Sequence, residues 1–114
     1  MRSSTPTLSK DLRHRIRESL APLHPQKVIV YGSFARGQAG RESDIDLIVV
    51  LDSGTTPQTY QERAANRLAV RRALDAVNRD YAMDVFVYTL PEWKRFRDLD
   101  SAFSREVASQ GVEL

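Results

Sequence analysis

The chain has 114 residues, with 17 Lys+Arg against 15 Asp+Glu for a net charge of +2, and no cysteine. That length makes one domain and excludes a two-domain enzyme, while the missing cysteine excludes disulfides, thiolate nucleophiles and Cys-based zinc sites. Hydrophobic residues at 41% and charged residues at 28% separate it from disordered chains, and so small a charge excess does not imply nucleic-acid binding by bulk charge.

Residues 1–7 read as a loose lead-in, and Met1 to Lys10 is polar with no signal-peptide core, so a cytoplasmic protein is expected. Leu8, Leu12, Ile16 and Leu20 recur every four residues and predict a helix from about Ser9 to Ala21. Ser9 is its expected N-cap, Asp11 suits the positive end of the dipole, and Pro22 and Pro25 stop it. Val28 to Tyr31 predicts a short buried strand that runs into Gly32-Ser33, and the segment up to Gly40 a turn with room for one helical turn. Asp44 to Leu51 is the second strand. It alternates at first and is then continuously apolar, as for a strand buried on both faces, so it is expected at the centre of the sheet. Its run Leu47 to Leu51 is the longest apolar one, far short of the roughly 18 residues of a membrane span.

A loop at Asp52-Ser53-Gly54 and Pro57 precedes a predicted helix over Thr59 to Asn78, with Leu68, Val70, Ala73, Leu74 and Val77 inward. Arg63, Arg67, Arg71 and Arg72 make its polar side a solvated face, which could also meet an acidic partner or RNA. Met83 to Thr89 is the third expected strand. Pro91 opens a helix anchored by Trp93 and Phe96, and Ser101 caps a last one with Phe103 and Val107 inward and Gly111 at its end. His14 and His24, the only histidines, read as surface residues and not as ligands.

Three segments carry chemistry. In Val30-Tyr31-Gly32-Ser33-Phe34-Ala35-Arg36-Gly37 a strand meets a Gly-Ser turn where a helix can start, which offers backbone N–H groups and a hydroxyl to phosphate oxygens. Gln38 stands where a P-loop requires lysine, and a tight turn needing glycine for its backbone angles is the plainer reading. In Ser43-Asp44-Ile45-Asp46-Leu47 two carboxylates leave the same face of a strand about 6.7 Å apart at the backbone, close enough to converge on a cation. A solvated strand end is the alternative. Asp84 breaks the apolar run of the third strand; it would complete a three-carboxylate site for two magnesium ions if that strand neighbours the second, or else guard a sheet edge.

Together these residues resemble the DNA polymerase β-like nucleotidyltransferase superfamily: a hydrophobic strand, Gly-[Gly/Ser], nine to thirteen residues, Asp-h-[Asp/Glu]-h, and a later h-[Asp/Glu]-h. Here Gly32-Ser33, the ten residues Phe34 to Ser43, Asp44-Ile45-Asp46-Leu47 and Met83-Asp84-Val85 fill every element. Arg36-Gly37 and Ser43 also match forms common in its small stand-alone branch, the minimal nucleotidyltransferases. The resemblance implies an α/β nucleotidyltransferase fold, a small mixed β-sheet with helices packed on it, as a single domain over residues 1–114. It implies magnesium-dependent transfer of AMP from ATP to an acceptor hydroxyl. Asp44 and Asp46 would hold two Mg2+ ions, Asp84 would ligate one of them and help take the proton, Gly32 and Ser33 would cradle the terminal phosphates, and Arg36 and Ser43 would lie near the nucleotide. The expected acceptor is the HEPN-domain toxin with which such chains are paired as antitoxins, with no membrane and no direct nucleic-acid contact. Neutralisation by binding alone, and a small-molecule acceptor such as an aminoglycoside, are the alternatives. A shared two-metal site requires Asp84 within about 10 Å of Asp46.

Overall fold

The computed structural model describes residues 8–39 and 43–114, so the expected lead-in at 1–7 lies outside the described residues. Ser9 caps α1 (Lys10–Leu20) by accepting the Leu12 N–H at 3.1 Å, and the helix buries Leu12, Ile16 and Leu20 as the four-residue spacing requires. A 3-10 turn at Ala21–Leu23 leads to β1 (Lys27–Tyr31), which passes without a break into the single helical turn α2 (Gly32–Ala35). Next come β2 (Ile45–Val50), α3 (Tyr60–Ala73), α4 (Asp75–Asp80) and β3 (Met83–Tyr88). The chain closes with α5 (Leu90–Asp98), α6 (Ala102–Gln110) and β4 (Val112–Glu113).

The strands form one mixed sheet in the order β3-β2-β1-β4, with β2 parallel to β3 and antiparallel to β1. On one face Val28, Val30, Ile45, Leu47 and Val49 pack with Leu12, Ile16 and Leu20 of α1, Val70 of α3 and Val77 of α4. On the other, Ile29, Tyr31, Ile48 and Val50 pack with Trp93 of α5 and Val107 of α6. Covered on both faces, β2 is interior to the sheet, which is why residues 47–50 are an unbroken apolar run.

Three local expectations change. The helix expected over Thr59 to Asn78 is two, because at Leu74 the backbone leaves helical geometry (φ −91°, ψ 5°). No proline or glycine causes this; the bend keeps both Leu74 and Val77 in the core, where each is 1% exposed. Leu68, expected inward, is exposed at 47%. It lies two residues, about 200° of helix, from the buried Val70. A fourth strand, β4, pairs Val112 with Val30 and Glu113 with Ile29, where the sequence predicts only a helix end. Two residues are too few for an alternation to register in sequence.

The helices α5 and α6 hold the second face in place through an aromatic chain, Tyr88–Phe96 at 5.3 Å, Phe96–Phe103 at 5.3 Å and Phe103–Tyr31 at 5.2 Å between ring centroids. The Ser101 hydroxyl accepts the Ser104 N–H at 3.0 Å to start α6. Ser101→Ala is expected to cost about 1 kcal/mol and to lower the melting temperature by about 5 °C, read by calorimetry. Among the described residues, no helix is long and apolar enough to cross a membrane.

Candidate functional site

Sheet register assembles the site. Asp46 of β2 is the direct partner of Asp84 on the parallel neighbour β3 and of Tyr31 on the antiparallel neighbour β1. Residues abreast in a sheet project from the same face with their backbones about 4.8 Å apart, so Asp46 and Asp84 stand side by side, within the separation a two-metal site needs. Asp44 lies two residues ahead of Asp46, just before β2 begins, and its charge acts on Asp46. Among the described residues β3 is an edge strand, so Asp84 also stands where a charge can guard a sheet edge.

Gly32 is the structural reason that the turn after β1 and the carboxylate strand meet. Its φ is +74°, a conformation open to glycine, and a Cβ built on it would collide with Asp46 Oδ2. The same turn begins α2, whose first N–H groups have no intrahelical acceptor. Ser33 is half-buried beside it, and Gln38 N–H donates to Ser33 C=O at 2.8 Å to close the loop. Ser43 is half-buried just ahead of Asp44. Arg36 is exposed, and its guanidinium turns to α6, 3.7 Å from Glu106 Oε2 and donating to Gln110 Oε1 at 3.4 Å.

The charges are unbalanced. Burial, then the negative charges of Asp84, Asp44 and Glu106, push the Asp46 carboxyl above the usual carboxylate range, and Arg36 only partly offsets them. Burial first, then Asp46 and Asp84, hold the Tyr31 hydroxyl far above its ordinary pKa, so it stays protonated beside the carboxylates. Among the described residues no three acidic, histidine or cysteine side chains are drawn together into a ready cage. The donor chemistry nonetheless fits a hard divalent cation: carboxylate oxygens that repel one another, with Asp46 destabilised in its charged form by its neighbours.

Tyr31 and Glu106 are neighbours of the carboxylates that sequence reasoning did not find. Tyr31 reads as an ordinary β-former, and only the antiparallel register turns it to the side of Asp46. Glu106 comes from α6, 60 residues away in sequence from Asp46, with no motif around it. His14 and His24 are exposed, as expected.

A chain from the crystal structure of a toxin-antitoxin with AMP-PNP has a similar fold, with a TM-score of 0.51 and 22% sequence identity over 88% of this chain and 69% of that one. No curated protein sequence matches the chain. A family model described as the nucleotidyltransferase domain matches residues 13–102, which take in the Gly32-Ser33 turn and all three aspartates. The chain therefore belongs to the nucleotidyltransferase domain family.

Proposed function

We propose that this chain transfers AMP from ATP, with magnesium, to a hydroxyl of a partner protein, and that it acts in this way as the antitoxin of a HEPN-domain toxin. The observation that carries the reading is the register of Asp46 beside Asp84, with Gly32 packed directly on the Asp46 carboxylate. Asp44 and Asp46 would hold two Mg2+ ions and Asp84 one of them. Magnesium supplies charge neutralisation at the triphosphate and a lower pKa at the attacking hydroxyl. The Gly32-Ser33 turn offers backbone N–H groups and a hydroxyl to the terminal phosphates, and Arg36 and Ser43 contact the nucleotide. The acceptor oxygen bonds to the α-phosphorus, the bond from that phosphorus to the pyrophosphate oxygen breaks, and the hydroxyl proton passes to the Asp84 carboxylate.

Size supports a protein as the acceptor. Both sheet faces of the described residues are covered by the chain's own helices, and so modest a core gives no depth for a pocket that encloses a large acceptor. A docked partner brings its own hydroxyl and its own orientation. AMP on a residue near a ribonuclease site adds negative charge where RNA phosphates bind, which accounts for neutralisation. The toxin-antitoxin neighbour with AMP-PNP is consistent with this assignment.

The test is co-expression with the toxin followed by the intact mass of the toxin. One or more adenylyl increments are expected with the wild-type chain and none with Asp44→Ala, which should also lose neutralisation. Undiminished neutralisation by Asp44→Ala with no mass increment in either case would leave binding alone as the mode of action. Magnesium with ATP at 100 times its dissociation constant should add about 2.7 kcal/mol to stability.

A further inference from the structure

The strand that carries Asp84 has an open side. β3 pairs with β2 along one edge and, among the described residues, with nothing along the other. Bonds from Ile45 N–H to Ala82 C=O and from Leu51 N–H to Tyr88 C=O, both 2.8 Å, bracket the parallel ladder, so the even-numbered residues of β3 face β2. The N–H and C=O groups of Met83, Val85 and Val87 therefore point outward. Proteins usually blunt such an edge with charge, proline or a bulge; Met83–Tyr88 has no lysine or proline, and its one charge, Asp84, lies on the carboxylate face.

Behind this edge, on the face opposite the carboxylates, lies a cavity of 390 Å³ with Leu74, Met83 and Val85 at its floor and Arg71, Arg72 and Asn78 at its rim. Asp75 also borders it but is engaged by Arg79 at 3.8 Å. Arg63 is held by Glu92 at 2.7 Å, and Arg67 lies over the Tyr60 ring at 5.8 Å. The side chains of Arg71 and Arg72 have no ion pair or hydrogen bond among the described residues. The face is thus an apolar floor under two uncommitted guanidinium groups, a combination that favours carboxylates.

We infer that the acceptor is an extended acidic segment of the partner protein that adds as a strand to the free edge of β3, its hydroxyl residue abreast of Asp84 and flanked by acidic residues over Arg71 and Arg72. The inference rests on the nucleotidyl-transfer reading above. Strand alternation sets the pattern. A residue abreast of Asp84 projects onto the carboxylate face, its backbone about 4.8 Å from Asp84 and about 10 Å from Asp46. Its two sequence neighbours project onto the opposite face, over Met83 and Val85 and toward the arginines. Main-chain bonds supply affinity and the alternate side chains supply selectivity, as in strand addition generally. A second copy of this chain fits less well, because its own β3 would offer the uncharged Met83, Val85 and Val87 to those arginines.

The probe is a fluorescein-labelled nine-residue synthetic peptide with a central tyrosine between two glutamates, compared with the same peptide carrying lysines. The glutamate peptide should bind at least tenfold tighter by anisotropy, slow hydrogen exchange at the Met83, Val85 and Val87 amides, and accept label from α-labelled ATP. Arg71→Glu with Arg72→Glu should abolish or reverse the preference. Val85→Pro removes an outward N–H without breaking the β2 ladder and should weaken both peptides. Magnesium with ATP should raise the melting temperature of the double variant as much as that of the wild type. Unchanged affinity in the double variant, protection away from β3, or concentration-dependent protection of β3 without peptide would overturn the inference. Equal label transfer to the lysine peptide overturns it and spares the transfer reading, whereas β3-edge binding with neither label transfer nor a shift with ATP overturns the transfer reading and with it the acceptor role, leaving the edge as a docking surface only.

Discussion

Asp46→Asn is expected to cut metal-dependent label transfer from α-labelled ATP by at least about a thousand-fold while making the folded protein more stable at neutral pH. The first effect follows from the role proposed for Asp46, a carboxylate shared by two cations, since losing about 4 kcal/mol of transition-state stabilisation is a factor of about a thousand. The second follows from its surroundings. Burial and the charges of Asp84, Asp44 and Glu106 raise its pKa on folding, so the folded state binds a proton here more tightly than the unfolded chain. Any stability linked to that proton is therefore full below the ordinary carboxylate pKa of about 3.9 and is lost as pH rises through the higher folded value. Asparagine carries no charge and escapes the loss. Melting temperatures should thus differ most at pH 7, with the variant higher, and converge near pH 3. Magnesium should raise the wild type more than the variant. A variant that melts lower than wild type at pH 7 without metal would contradict this electrostatic picture.

The same trade-off shows which parts of the molecule could be read in sequence. Local signals were legible where one physical demand acted on consecutive residues: Leu12, Ile16 and Leu20 on one side of α1, the unbroken run to Val50 for a strand covered twice, and Ser9 and Ser101 as caps. The alternation of Asp44 and Asp46 showed that they share a face. What it could not show is that Asp84, 38 residues later, is the register partner of Asp46. Register between parallel strands is set by packing of the connecting α3 and α4 against the sheet, and no short window of sequence contains it. Only the family resemblance supplied that expectation. The bend at Leu74 and the two-residue β4 likewise arise from tertiary packing against the core and β1, against or beyond local propensity. Glu106 enters the electrostatics of the site because α6 folds over the second face, and its own neighbours in sequence give no hint of it.

Gly32→Ala should cost both stability and activity. Holding a non-glycine residue at φ +74° costs about 1–2 kcal/mol. The added Cβ also collides with Asp46 Oδ2, which has to turn away from Asp84, and overpacking of this kind costs about 1–3 kcal/mol. Together these amount to about 2–5 kcal/mol, or a fall of about 10–25 °C in melting temperature. Activity should drop further than stability, by more than about a hundred-fold at a temperature where the variant is fully folded, because a carboxylate displaced by about 1 Å is out of place for the chemistry. Gly37→Ala is the control. Gly37 has φ +71° as well, but nothing lies within 4 Å of its missing Cβ, so it should pay the backbone cost alone and keep most of its activity. In a double-mutant cycle the stability effects of Gly32→Ala and Asp46→Ala should be less than additive, since removing the carboxylate removes the collision, whereas Gly37→Ala and Asp46→Ala should add within about 0.5 kcal/mol. Equal losses of activity from the two glycine substitutions would mean that the close approach of Gly32 to Asp46 has no part in positioning the carboxylate.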